Sequence, residues 1–129
     1  MWPLQVAVRA ALLADAPFMA KAQAVLDSPR DQDYPYVVIG DVTEVTSGTF
    51  GKHGVDVTQT LHVYSRYAGM REAALILNEA VRVLHATRLT VDGFEPVILW
   101  YDGGDAVREP DGDVRHAIMR FRVKPALEE

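Results

Sequence analysis

A change of hydrophobic period inside Val55 to Val91 constrains this chain more than any other feature. Val55, Val57, Leu61 and Val63 fall on one side of an alternating run, with Asp56, Thr58, Thr60, His62 and Tyr64 on the other. That is the period of a strand with one buried face, broken only at Gln59. Then Met70, Ala73, Ala74, Leu77, Ala80, Val81 and Leu84 recur at three and four, which is one stripe of a helix. Neither half buries its apolar face alone, so the helix is expected to lie across the sheet that holds the strand. The switch falls at Ser65 to Gly69, where Ser65 is the candidate cap for the helix.

Elements on either side extend the pattern. Pro3 suits a first helical turn, and Leu4, Ala7, Val8, Ala11 and Leu12 follow on one face until Asp15, before Pro17. FMAKAQAVL reads as a helical turn and then a short strand near Ala24 to Leu26. Past the polar SPRDQDYP, the run YVVIG continues as DVTEVTS with its alternation out of phase, which predicts a bulge at Gly40. Ser47 to Gly54 is a glycine-rich hairpin connection, and Asp92-Gly93 is a tight turn. Val97 to Tyr101 is a strand that DGGDAVREPDGD either interrupts or continues at Ala106 to Arg108. The last strand places Ala117, Met119, Phe121 and Val123 on one face. His116, Arg120, Arg122 and Lys124 occupy the other, with Ile118 as the exception. The expectation is one α+β domain over residues 1–129, an antiparallel sheet with an N-terminal helix and a central helix packed on it as a two-layer sandwich.

Several chemistries are disfavoured by what the chain lacks. With no cysteine, disulfide scaffolds, thiolate nucleophiles and thiolate metal sites are excluded. A net charge of −5 argues against a surface built to neutralise nucleic-acid phosphates. No run approaches the roughly 18 apolar residues of a membrane span, and the start of the chain lacks the basic head of a secretory signal. The loop GTFGKH fails as a phosphate-binding P-loop, because Thr46 replaces its first glycine and His53 its Ser or Thr. Asp102 to Asp113 has the length of a calcium loop but offers Gly104, Ala106 and Val107 at positions three, five and six. Asp102, Asp105, Asp111 and Asp113 therefore read as turn formers on a solvated loop, with room for no more than a weak surface cation. Ser28, Ser47 and Ser65 lie in no activating context. His62 and His116 share the outer face and meet if their strands pair, as surface imidazoles first and as a ligand or base second. The basic row with Arg120, Arg122 and Lys124 either protects a sheet edge or meets an acidic surface on another subunit.

The segments PLQVAVRAALLAD, YPYVVIGD, TLHVYSRYAGMREAALILNEAVRVLH, LTVDGF and REPDGDVRHAIMRFRV, in that order and spacing, resemble the tail completion (tail terminator) proteins of long-tailed bacteriophages and gene transfer agents. The resemblance covers almost the whole chain. It implies a structural virion protein with no catalysis and no cofactor, assembling with itself as a ring, typically a hexamer, on the last ring of tail-tube protein. Such a ring stops tube growth and faces a head-side connector, with DNA only as cargo and no membrane involved. The expected contact residues are Phe50, Lys52 and His53 in the glycine-rich loop, Arg66 and Tyr67 at the period switch, and Arg120 and Arg122 on the last strand. Related proteins usually carry a glycine before the first short strand, where this chain reads KAQAVLD. A head-side connector or stopper is the alternative within virion assembly. A small-ligand-binding or enzymatic α+β domain using the His62 and His116 face is the alternative outside it.

Overall fold

The computed structural model describes residues 2–27, 33–46, 55–66, 69–93, 96–108 and 114–125. Among these described residues three helices and six strands follow in the order α1 (Trp2–Leu13), α2 (Ala16–Ala22), β1 (Val25–Leu26), β2 (Tyr36–Thr46), β3 (Val55–Ser65), α3 (Arg71–Leu84), β4 (Arg88–Leu89), β5 (Val97–Arg108) and β6 (Arg115–Pro125). The strands form one sheet in the order β1-β2-β3-β6-β5-β4. It is mixed, not purely antiparallel as expected, because β1 runs parallel to β2 while every other named pair is antiparallel. A parallel neighbour ordinarily needs a long crossover, but β1 is so short that the chain between Leu26 and Tyr36 has little distance to retrace.

Alternation builds the sheet's inner face. Val37, Ile39, Leu61, Val63, Leu99, Ala117, Met119 and Phe121 are buried and share one core with the helices. Gln59 belongs to the same inner row and is fully buried, which explains the apparent break in the pattern. Its neighbour β2 carries the expected bulge. Ile39 pairs with Leu61 and Val42 with Gln59, so Gly40 and Asp41 together face Thr60. The Gln59 Nε2 donates to the Gly40 carbonyl at 3.0 Å and to the Thr60 carbonyl at 2.8 Å, and Gln5 Nε2 of α1 donates to the same Gly40 carbonyl at 2.8 Å. The glutamine thus satisfies a carbonyl that the bulge takes out of the ladder.

A second bulge lies on β5. Tyr101 pairs with Phe121 and Gly104 with Met119, so Asp102 and Gly103 face Arg120. Thr60 and Arg120 are themselves partners in the β3–β6 pairing. Both extra residues therefore fall on one transverse row across four strands. The run DGGDAVR continues the strand, and Asp102 and Asp105 are strand residues, correcting their reading as loop turn formers. Asp111 and Asp113 lie outside the described residues.

The helices bury the faces their periods predict, with one rotation. Leu4, Val8 and Leu12 of α1 are fully buried, and Asp15 caps α2 by accepting the Phe18 N–H at 2.9 Å. In α3 the buried line is Ala73, Ile76, Ala80 and Leu84, while Ala74 is exposed. The expected stripe thus turns towards Ile76, the larger side chain, leaving Leu77 and Val81 half-buried. Ser65 is not the cap. The helix starts at Arg71 with Met70 at the cap position and no side-chain cap bond. Instead the Ser65 Oγ donates to Glu72 Oε1 at 2.6 Å.

Candidate interface on the outer face of the sheet

The face away from the helices carries the side chains that alternate with the core. Tyr36 of β2 pairs with Tyr64 of β3, and Tyr64 with His116 of β6. Three rings therefore stand side by side, flanked by Tyr34 and His62. Successive centroids from Tyr34 through Tyr36, Tyr64 and His116 to His62 lie 5.2, 5.2, 4.3 and 4.9 Å apart. Such spacings are those of favourable aromatic pairs. The Arg66 guanidinium lies 4.8 Å from the Tyr34 ring centroid, a cation–π contact at the ladder's end. Leu26, Tyr36 and Val38 are buried here as a second small apolar cluster. That burial, with Tyr34 and Tyr64 nearby, pushes the Tyr36 phenol up to about 12.

His62 and His116 do meet, as their shared face predicts. His62 Nδ1 lies 2.7 Å from His116 Nε2, so one ring donates and the other accepts through a neutral nitrogen. Burial first, then the neighbouring His116 and Arg120, hold the His62 pKa below its ordinary value, against an opposing pull from Asp41. Two nitrogens engaged with each other are poorly placed as general bases. Among the described residues no group of three His, Asp or Glu side chains is arranged to hold a metal ion.

The basic row sits in the interior of the sheet, which corrects one of its two expected roles. Strand β6 lies between β3 and β5, so Arg120, Arg122 and Lys124 do not protect an edge. Arg120 Nη1 reaches Asp105 Oδ2 at 3.2 Å and Arg122 Nη2 reaches Asp102 Oδ2 at 3.5 Å, both across the β5–β6 pair. Each pair is well exposed and stabilises by at most about 1 kcal/mol. Of the expected contact residues, Arg66, Arg120 and Arg122 thus share this face. Phe50, Lys52, His53 and Tyr67 lie outside the described residues. The sequence reading missed Tyr34 and Tyr36, whose spacing on either side of Pro35 was the available signal.

A sequence profile of the tail completion protein gp17 family matches residues 6–124. This chain belongs to that family. Tail completion protein gp17 of Bacillus phage SPP1 is 30% identical over 107 residues, spanning 82% of this chain and 79% of that protein. The structure of bacteriophage SPP1 gp17 superposes with a TM-score of 0.63 at 26% identity, over 94% of this chain and 87% of that one. A chain from the virion of the native gene transfer agent particle shares the fold with a TM-score of 0.78 at 23% identity, over 95% and 93% of the two chains.

The backbone takes an unusual conformation just before β1. Within KAQAVLD, where the family resemblance leads to the expectation of a glycine, Gln23 stands at φ 70° and ψ −42° as the C-cap of α2. The Ala24 N–H donates to the Ala22 carbonyl at 2.8 Å around it, which is a γ-turn of the rare positive-φ kind.

Proposed function

We propose that this gp17 family member completes a phage-type tail by closing as a ring of copies, six in number, on the last ring of tail-tube protein. The ring stops tube growth and offers a surface to the head-side connector, at the head-proximal end of the virion's tail. The family match from Val6 to Lys124 carries this reading. A neighbour of the same fold found within a whole virion particle supports it.

The sheet supplies a geometric rationale. Ser65 pairs with Arg115 at one end of β3, and Val57 with Val123 towards the other. The connection 47–54 between β2 and β3 and the connection 109–113 between β5 and β6 therefore leave from opposite ends of a strand roughly 30 Å long, at about 3.3 Å per residue. A subunit with its two longest hairpins pointing opposite ways can touch the tube with one and the connector with the other. Ring closure then needs two different, complementary patches on its flanks. The net charge of −5 suits a passage through which DNA slides without sticking.

The test is electron microscopy of purified protein mixed with its tail tubes, using the full chain and a variant lacking Ser47 to Gly54. The full chain should form a ring at one tube end and halt growth, and the deletion should stay folded and fail to dock. Normal capping by the deletion refutes the role of the loop. Binding to head connectors with none to tube ends favours the stopper alternative.

A further inference from the structure

Each edge of the sheet is covered along only part of its length. Among the described residues β1 pairs with Val37 and Val38 of β2, and residues 41–46 have no strand on that side. At the other edge β4 pairs with Val97 and Ile98 of β5, and His85 bridges to Leu99. Residues 103–108 have no strand beyond them among the described residues. An open edge templates pairing with another chain unless it is blunted, commonly by proline or lysine. Neither 41–46 (DVTEVT) nor 103–108 (GGDAVR) contains either residue. The two short strands thus shield diagonally opposite corners of the sheet and leave the other two corners open.

We propose that copies of this chain join edge to edge, with 41–46 of one pairing antiparallel to 103–108 of the next, so that the ring closes through one continuous sheet. The inference rests on the ring reading above and names its two complementary patches. Direction, stagger and face select a second copy as the occupant. Strands β2 and β5 run opposite ways, being joined through β3 and β6 by three antiparallel pairings. In a ring of like-oriented copies the abutting edges therefore meet antiparallel. Glu44 lies level with Val57 of β3, whereas Ala106 lies, through Ala117, level with Val63, six residues along. Placing Glu44 opposite Ala106 overlaps 42–46 with 104–108 in full and shifts neighbouring copies by those six residues. An even shift keeps helix-side residues with helix-side residues. In this register β1 and β4 lie beyond opposite ends of the contact and do not obstruct it. Closing a sheet into a barrel requires such a stagger, because the strands must tilt. A shift of about 20 Å across four strands about 19 Å wide gives a tilt of about 45°, at the upper end of the roughly 35–45° found in barrels. Six copies bring about 24 long strands, more than the roughly 16–18 that already enclose an aqueous channel.

The experiment uses the full chain, which has no cysteine of its own. Glu44 and Ala106 are both exposed, and within one copy two strands and a six-residue offset separate them, far beyond the roughly 7 Å a disulfide can span. Glu44→Cys with Ala106→Cys in one chain, assembled on tail tubes and oxidised, should give a ladder of covalent oligomers ending in a closed ring. The two single variants mixed should give dimers and nothing larger, and neither should give dimers alone. Glu44→Cys with Asp105→Cys, one residue out of register and on the opposite face, should crosslink at least about tenfold less. Rings seen by microscopy with crosslinking no greater than this control overturn the inference and leave the ring reading standing. Dimers from either single variant show like edges meeting and overturn it too. If wild type forms no ring alone or on tubes, the ring reading fails and this inference with it. Should the cysteine variants misfold, hydrogen exchange on wild type decides. Amides within 41–46 and 103–108 should exchange at least about tenfold more slowly in rings than in free subunits, and equal rates overturn the proposal.

Discussion

Replacing Gln23 by glycine should make this protein more stable, and the size of the gain follows from the turn it occupies. At φ 70° and ψ −42° a residue with a Cβ is held in a sparsely populated region, at a cost of about 1–3 kcal/mol. Glycine removes that strain and gives back about 0.4–1 kcal/mol through the greater freedom of the unfolded chain. The Gln23 side chain is exposed, so little packing is lost. The Ala24 to Ala22 bond at 2.8 Å and the Gln23 to Met19 bond at 3.1 Å are backbone bonds that the substitution keeps. The net expectation is a gain of about 1 kcal/mol, or about 4 °C in Tm for a domain of this size. Urea unfolding and thermal melts of wild type, Gln23→Gly and Gln23→Ala measure it. Alanine retains the Cβ and should lie within about 0.5 kcal/mol of wild type. If glycine melts at or below wild type, or alanine gains as much as glycine, the strain argument is wrong.

Three further outcomes follow from the core and the outer face. A Cβ on Gly104 would lie 2.1 Å from the Ile118 carbonyl oxygen, backbone that cannot step aside, so Gly104→Ala should lower the stability read by urea unfolding by about 2–3 kcal/mol. Phe121 is fully buried in the central strand, and Phe121→Ala should cost about 3–5 kcal/mol in the same assay. The folded-state pKa of His62 is below its ordinary value, so the unfolded chain takes up that proton first as pH falls. Its contribution is therefore complete above an unfolded pKa of about 6.5 and is lost as pH drops below it towards the folded value. Denaturation between pH 7 and 5 should show a fall in stability that is shallower in His62→Gln; an unchanged slope refutes the assignment.

What was legible in the sequence was local. The alternation of β3 and β6 and the phase slip at Gly40 are set by neighbours in the chain, and each is present. The meeting of His62 and His116 followed from parity alone once the two strands paired. What was not legible depended on distant partners. That β6 lies between β3 and β5 is a matter of strand order, and so the pairing of Arg120 and Arg122 with Asp105 and Asp102 was hidden. The rotation of α3 depends on which of two adjacent apolar stripes the sheet selects, and Ile76 decided it. Gln59 looked like an exception because the carbonyl it serves belongs to another strand. In α1 the exposure of Trp2, Val6 and Leu13 escaped notice because they are apolar like the residues that pack.

The two bulges share the Thr60–Arg120 row, so both outer hairpins change phase at the same level of the sheet. Each extra residue shifts phase in its own strand, so that Val42 and Leu99 both face inward beyond the corner. Losing the insertion at Gly40 alone would turn one arm of the first hairpin inside out while its partner stayed put. A homologue that lacks either insertion should therefore carry a compensating one-residue change elsewhere in that same strand or its adjoining loop.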